Sequence, residues 1–134
     1  MKLRIHNNSL RFRVCPTEVE ALNRGEALEN RIAAGPAESA ALVYRIVPEP
    51  MAASDAAMRA DLNRQTLTVH VPLQMIRGWR DGQKLGLEAQ QNWDGGSLRI
   101  LLEKDMQRLN PKDGEESADV YPNPLFGKVR CDHP

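Results

Sequence analysis

The sequence predicts a β-rich α+β fold: a duplicated β-α-β-β unit that forms a small pseudo-two-fold barrel or curled sheet with two short helices. Three observations predict it. Apolar and polar residues alternate with period two at residues 2–6, 9–14 and 66–71, as half-buried strands require. Two other stretches space their apolar residues three or four apart, Val19 with Leu22 and Leu73 with Ile76 and Trp79, as one face of a helix requires. The two sets of elements also align with each other at a nearly constant offset.

Lys2, Leu3, Arg4, Ile5 and His6 form the first strand, and Ser9 to Val14 the second. Between them, Asn7-Asn8 tolerates positive φ and suits a tight turn. Pro16 ends the second strand, and Thr17 with Glu20 has the spacing of a capping box for a short helix. Gly25 stands where a C-terminal cap belongs. Leu28, Asn30 and Ile32 form one face of a strand that Gly35-Pro36 breaks. Leu42, Tyr44 and Ile46 form the next, until Pro48 and Pro50 stop it.

Residues 48–65, rich in Pro, Ala and Asp, read as a linker with at most a helical turn over Ala52 to Leu62. The pattern then restarts. Leu67, Val69 and Val71 alternate with Thr66, Thr68 and His70, and Pro72 suits a helix start. Asp81-Gly82 ends the helix around Trp79. Leu85, Leu87 and Ala89 form a strand, Asp94-Gly95-Gly96 a hairpin turn, and Leu98, Ile100 and Leu102 the closing strand. The chain therefore reads as a single domain over 1–134: repeat one 2–47, linker 48–65, repeat two 66–104, and a polar tail 105–134.

At an offset of 57 residues, Leu10, Phe12 and Val14 fall on Leu67, Val69 and Val71. Val19 falls on Ile76, Leu22 on Trp79, Gly25 on Gly82 and Leu28 on Leu85. With one residue lost in the second hairpin turn, Leu42, Tyr44 and Ile46 match Leu98, Ile100 and Leu102. Such internal periodicity sets the architecture before any other feature.

Segment 66–104 has a strand ending in Pro72, a short helix, an Asp-Gly turn and a hairpin. It resembles the AbrB/MazE type of swapped-hairpin barrel element, and residues 2–47 do so more faintly. In that type two chains interleave to complete one barrel. The resemblance implies that two copies in one chain close it internally. The whole chain also resembles a group of small bacterial proteins of unknown function. The shared motifs are a K-[LI]-R-I-x-x-x-[ST]-[LI]-R hairpin at Lys2–Arg11, an L-x-I-L-[VL]-E-K-D segment at Leu98–Asp105, and a D-x-[FY]-P-N-P tail at Asp119–Pro124. This resemblance brings no activity with it.

Composition narrows the function classes. Lys plus Arg and Asp plus Glu number 18 each, a balance that disfavours a general nucleic-acid or membrane-surface binder. Cys15 and Cys131 are too few for a disulfide framework, and the first nine residues carry no apolar signal region. No apolar run reaches the length of a membrane span. The expected location is the cytoplasm, and no cofactor and no metal are expected.

Three groups of residues are candidates for function. Lys2, Arg4 and His6 on one strand face and Arg11 and Arg13 on its neighbour form a basic ladder, either able to hold phosphates or an acidic segment or simply a solvated outer face paired with Glu18, Glu20 or the acidic tail. Glu103, Lys104 and Asp105 lie in one shared motif, and Tyr121, Pro122, Asn123 and Pro124 in another. The two carboxylates flanking a lysine could serve acid–base chemistry, or the tail could simply dock through Tyr121 and Pro122 with Asp105 capping a turn. Cys131 and His133 have C-x-H spacing but lack the further ligands of a zinc site. Nucleotide-binding and hydrolase motifs are absent.

The expected function is a non-enzymatic binding module, monomeric or weakly dimeric, for a protein or small ligand. An AbrB-like DNA-binding regulator and a small enzyme using Glu103 or Asp105 are the alternatives.

Overall fold

Eight strands form two four-stranded sheets, and two short helices lie at one end of them, in a computed structural model that describes residues 1–106 and 119–122. The elements in chain order are β1 (Lys2–His6), β2 (Ser9–Val14), α1 (Pro16–Asn23), β3 (Leu28–Ala33), β4 (Ala41–Glu49), β5 (Arg59–Asn63), β6 (Thr66–Pro72), α2 (Leu73–Asp81), β7 (Gly86–Trp93) and β8 (Gly96–Lys104). The first sheet has the order β1-β2-β8-β7 and the second β3-β4-β6-β5.

Each sheet joins two antiparallel hairpins through a central parallel pair, β2 with β8 and β4 with β6. The halves of the chain therefore exchange strands. The β1-β2 hairpin lies beside β8-β7, and the β5-β6 hairpin beside β4-β3. Registers correspond as well: Leu3 opposes Phe12 as Ala60 opposes Val69, and Leu10 pairs with Ile100 as Leu67 pairs with Tyr44.

The sheets do not close into a barrel, which corrects one of the two expected forms. At the seams the backbone ladder gives way to single carboxamides. Gln91 Nε2 donates to Ala60 O at 2.9 Å and its Oε1 accepts from Ala60 N at 2.8 Å. Asn30 Nδ2 donates to Met1 O at 3.2 Å across the other seam. A side chain can satisfy a few edge groups, but it cannot continue a ladder.

The stretch read as a linker contains β5, and no helix lies over Ala52 to Leu62. Ala60 and Leu62 signal a strand weakly on their own. Antiparallel pairing with β6 holds the segment extended. Its bounds are those of β1 displaced by 57 residues. β4 also runs through Pro48, which pairs in register with Val71, beyond the last residue that β3 covers.

One match between the halves changes on inspection of the register. Leu28 pairs with Ile46, and the residue that pairs with Leu102 is Leu87, so Leu28 corresponds to Leu87. Leu85 precedes β7 and is exposed. The second helix-to-strand connection thus gains two residues and the following turn loses three, where the sequence suggested a single loss. The two helix-ending glycines also act differently. Gly25 has φ +88° and its N–H bonds Leu22 O, a left-handed cap. Gly82 is extended, and a Cβ there would lie 2.9 Å from Gly78 O.

The helix start is also shifted from the expected one. Cys15 is the N-cap of α1, and its N–H donates to Glu18 Oε1 at 3.0 Å. Thr17 lies inside the helix, and Glu20 pairs instead with Arg80 of α2, Nε to Oε1 2.8 Å. Both helices turn their apolar faces inward: Val19 and Leu22 of α1, and Leu73, Ile76 and Trp79 of α2, are buried. One core joins these to Phe12, Val14, Ile46, Val69, Val71, Ile100 and Leu102. Burying that set is the main favourable contribution to folding.

Candidate functional site

The outer face of the first sheet gathers the predicted basic residues. Alternation along β1 and β2 turns Leu10, Phe12 and Val14 inward, so Lys2, Arg4, His6, Arg11 and Arg13 share the opposite face. Lys2 stands directly opposite Arg13, and Arg4 opposite Arg11. Like charges placed directly across a strand pair are destabilising. The parallel neighbour β8 adds Arg99, in register with Ser9.

Partial compensation comes from acids at the margin. Lys2 Nζ lies 3.1 Å from Asp105 Oδ2, and Arg99 Nε 2.6 Å from Glu88 Oε1. Arg11 Nε lies 2.9 Å from Glu103 Oε1, an ion pair without hydrogen-bond geometry. Arg4 and Arg13 have no acidic partner among the described residues. Two shallow hollows of about 140 and 170 Å³ mark the face. Lys2, Arg4, Arg11 and Arg13 line one; Arg4, His6, Ser9, Arg11 and Arg99 line the other.

The second predicted group is brought together, but as a structural joint. Tyr121 N donates to Asp105 O at 2.8 Å, and Met106 and Tyr121 form a parallel bridge. Lys104 Nζ sits 5.4 Å from the centre of the Tyr121 ring, within cation–π range, and also donates to Gly82 O. Burial pushes the Tyr121 hydroxyl pKa up. Asp105 is buried against Lys2, and Glu103 is drawn to Arg11, so neither carboxylate lines either hollow. Asn123, Pro124, Cys131 and His133 lie outside the described residues. Among those described, no three His, Cys, Asp or Glu side chains are placed to hold a metal ion.

Next to that joint, Asp119 accepts from the Thr17 hydroxyl, and Glu18 takes the chain's first ammonium at 2.6 Å. Burial alone would push the Glu18 carboxyl up; the ammonium and the Cys15 N–H outweigh it and hold the carboxyl below its ordinary value. The Cys15 thiol is pushed up by burial and by Asp119, the opposite of what a reactive thiolate needs.

An apolar groove at the hairpin-turn end was not foreseen. It measures about 410 Å³, with Leu10, Leu67, Leu42 and Leu98 along it and Ile5, Leu62 and Trp93 among its other walls. The last three are more than half exposed. A signal for it existed: Ile5 and Leu62 are apolar residues near strand ends at corresponding positions of the two halves.

No helix among the described residues is long and apolar enough to cross a membrane. No curated protein and no solved structure matches the chain. From the β1-β2 hairpin into the tail that carries Tyr121, over residues 1–125, the chain matches DUF7009, a family of unknown function, and it belongs to that family.

Proposed function

We propose that the protein is a non-enzymatic binding module that holds an anionic partner on the outer face of the first sheet. The observation that carries this reading is the pair of cross-strand cationic contacts, Lys2 with Arg13 and Arg4 with Arg11, in a fold that does not require them. The corresponding pairs in the second sheet are Arg59 with His70 and Asp61 with Thr68. An arrangement that costs folding energy in one half and is avoided in the other fits a face kept for an incoming negative charge. The matching topology of the two halves supports a duplicated unit. Because one chain supplies both halves, the proposal includes a monomer in solution. It also includes a cytoplasmic location, in keeping with the free Cys15.

The test is a fluorescence-polarisation titration with labelled polyglutamate at low salt. Binding should weaken as salt is added. It should be lost in the Arg4→Ala/Arg13→Ala double variant and kept in an Arg31→Ala/Arg45→Ala variant of the second sheet. Equal loss in both variants would reject the assigned face. Duplex DNA in the same assay tests the regulator reading, which the exchange of strands between halves favours. DNA binding that collapses with salt and depends on Arg4 would make phosphate the anion.

A second reading rests on the groove, whose volume falls within the range of small-molecule sites. An apolar dye such as 8-anilinonaphthalene-1-sulfonate should gain fluorescence there, and Leu98→Arg should abolish the gain. An unchanged signal in that variant would place the dye elsewhere.

A further inference from the structure

The two hollows on the basic face share Arg4 and Arg11 as a common wall. One lies toward the Lys2–Arg13 row and the other toward the His6–Ser9 row. The Arg4–Arg11 row lies between them, and successive rows are two residues apart along a strand, so hollows on either side of that row have centres about 7 Å apart. In an extended peptide, side chains at i and i+2 point to one side with that same spacing, while those at i+1 and i+3 point away.

We propose, resting on the reading of this face as an anion site, that its partner is an extended acidic peptide with acidic residues at alternate positions. One carboxylate enters each hollow, with the Arg4–Arg11 pair between them. Arg4 and Arg13 take a carboxylate without breaking an existing ion pair among the described residues. Arg11 turns from Glu103, which holds it without a hydrogen bond. Leu101, in register with Arg11, gives the peptide an apolar contact at the edge of the second hollow.

Two features favour a peptide over a nucleic acid. No aromatic side chain stands on the outer positions of β1, β2, β8 or β7, so bases have nothing to stack on. Glu88 and Glu103 border the face, a moderate mixture of charge that suits separated carboxylates better than a dense phosphate chain.

The full chain should be titrated by fluorescence polarisation with two labelled peptides of identical composition and charge. One carries its two glutamates at i and i+2 among Thr and Val, and the other at i and i+3. The alternate peptide should bind roughly fivefold more tightly, the value of about one exposed ion pair. Arg13→Ala should remove that preference, while Arg45→Ala on the second sheet should leave it intact. Equal affinities that still depend on Arg4 would overturn the peptide spacing and leave the anion site standing. Binding of duplex DNA or inorganic polyphosphate in preference to either peptide would overturn the peptide and keep the face. Failure of every polyanion, with far-UV circular dichroism unchanged in the variants, would overturn both readings.

Discussion

The two sheets are alike inside and unlike outside. Inward positions correspond nearly one to one: Leu10 with Leu67, Phe12 with Val69, Val14 with Val71, Leu22 with Trp79, Ile46 with Leu102. Outward, the first sheet carries Lys2, Arg4, Arg11, Arg13 and Arg99 against Glu88 and Glu103. The second carries Arg31, Arg45 and Arg59 against Glu29, Glu49 and Asp61. Its charges are paired across strands: Arg59 with Glu49 at 2.7 Å, Arg45 with Glu29 at 3.0 Å but, like Arg11 with Glu103, without hydrogen-bond geometry, and His70 hydrogen-bonded to Asp61 at 2.8 Å. Packing requires the shared interior, because close-packed side chains tolerate little change. It places no such demand on the outer faces, and the excess of about two positive charges on the first, once Asp105 beside Lys2 is counted, is what the proposed anionic partner would meet.

The largest effect should come from the interior. Trp79 is 1% exposed, fills the position of Leu22 in the other half, and donates its Nε1 hydrogen to Leu85 O at 3.1 Å. Trp79→Ala should lower stability by about 3–5 kcal/mol, and Leu22→Ala by less, in urea denaturation. Equal losses would mean that the helix of the second half bears no more of the core than that of the first.

A smaller effect separates the helix-to-strand connections. A Cβ at Gly86 would meet Leu102 O at 2.7 Å, whereas one at Gly25 would meet open space but sits at φ +88°. Gly86→Ala should cost about 1–3 kcal/mol by overpacking. Gly25→Ala should cost about 1–2 kcal/mol from backbone conformation alone. Urea midpoints for the two variants test this ranking.

Making the first face resemble the second should act in the opposite direction. Arg4→Asp installs the residue type that occupies the corresponding position, Asp61, and turns a repulsive pair with Arg11 into an attractive one. Stability should rise by about 0.2–1 kcal/mol while binding of acidic peptides is lost. A variant that loses stability as well would show that Arg4 has a structural role.

Acid should act on the start of α1 and not on that of α2. The Glu18 carboxyl is held below its ordinary value in the folded state, so its contribution is complete above the ordinary glutamate range and is lost as pH falls through the lowered value. The first turn of α2 holds no acid at all. Thermal melts of Glu18→Gln should therefore show a shallower fall in Tm below that range than the wild type, with convergence at low pH.

Much of this was legible in the residues. Period-two alternation located β1, β2, β6 and β8, and helical spacing located α2, because one face of each must be apolar to join the core. The basic ladder was legible for the same reason: once Leu10, Phe12 and Val14 point in, Arg11 and Arg13 point out. What hid was whatever depends on a distant neighbour. β5 is a strand because β6 pairs with it, and its own residues say little. The cap fell to Cys15 and Glu18, and Glu20 pairs instead with Arg80, sixty positions away.

By itself, then, the sequence determined which residues turn inward, where helices interrupt strands, and that one strand face is cationic, since each follows from local periodicity. Only the tertiary structure decided that the halves exchange strands, that the sheets stay open with Gln91 and Asn30 across their seams, and that Arg4 and Arg13 remain without an acid among the described residues. The physical reason is reach. Alternation acts over one strand's length, whereas pairing partners and charge compensation are set by chain segments that meet only after folding.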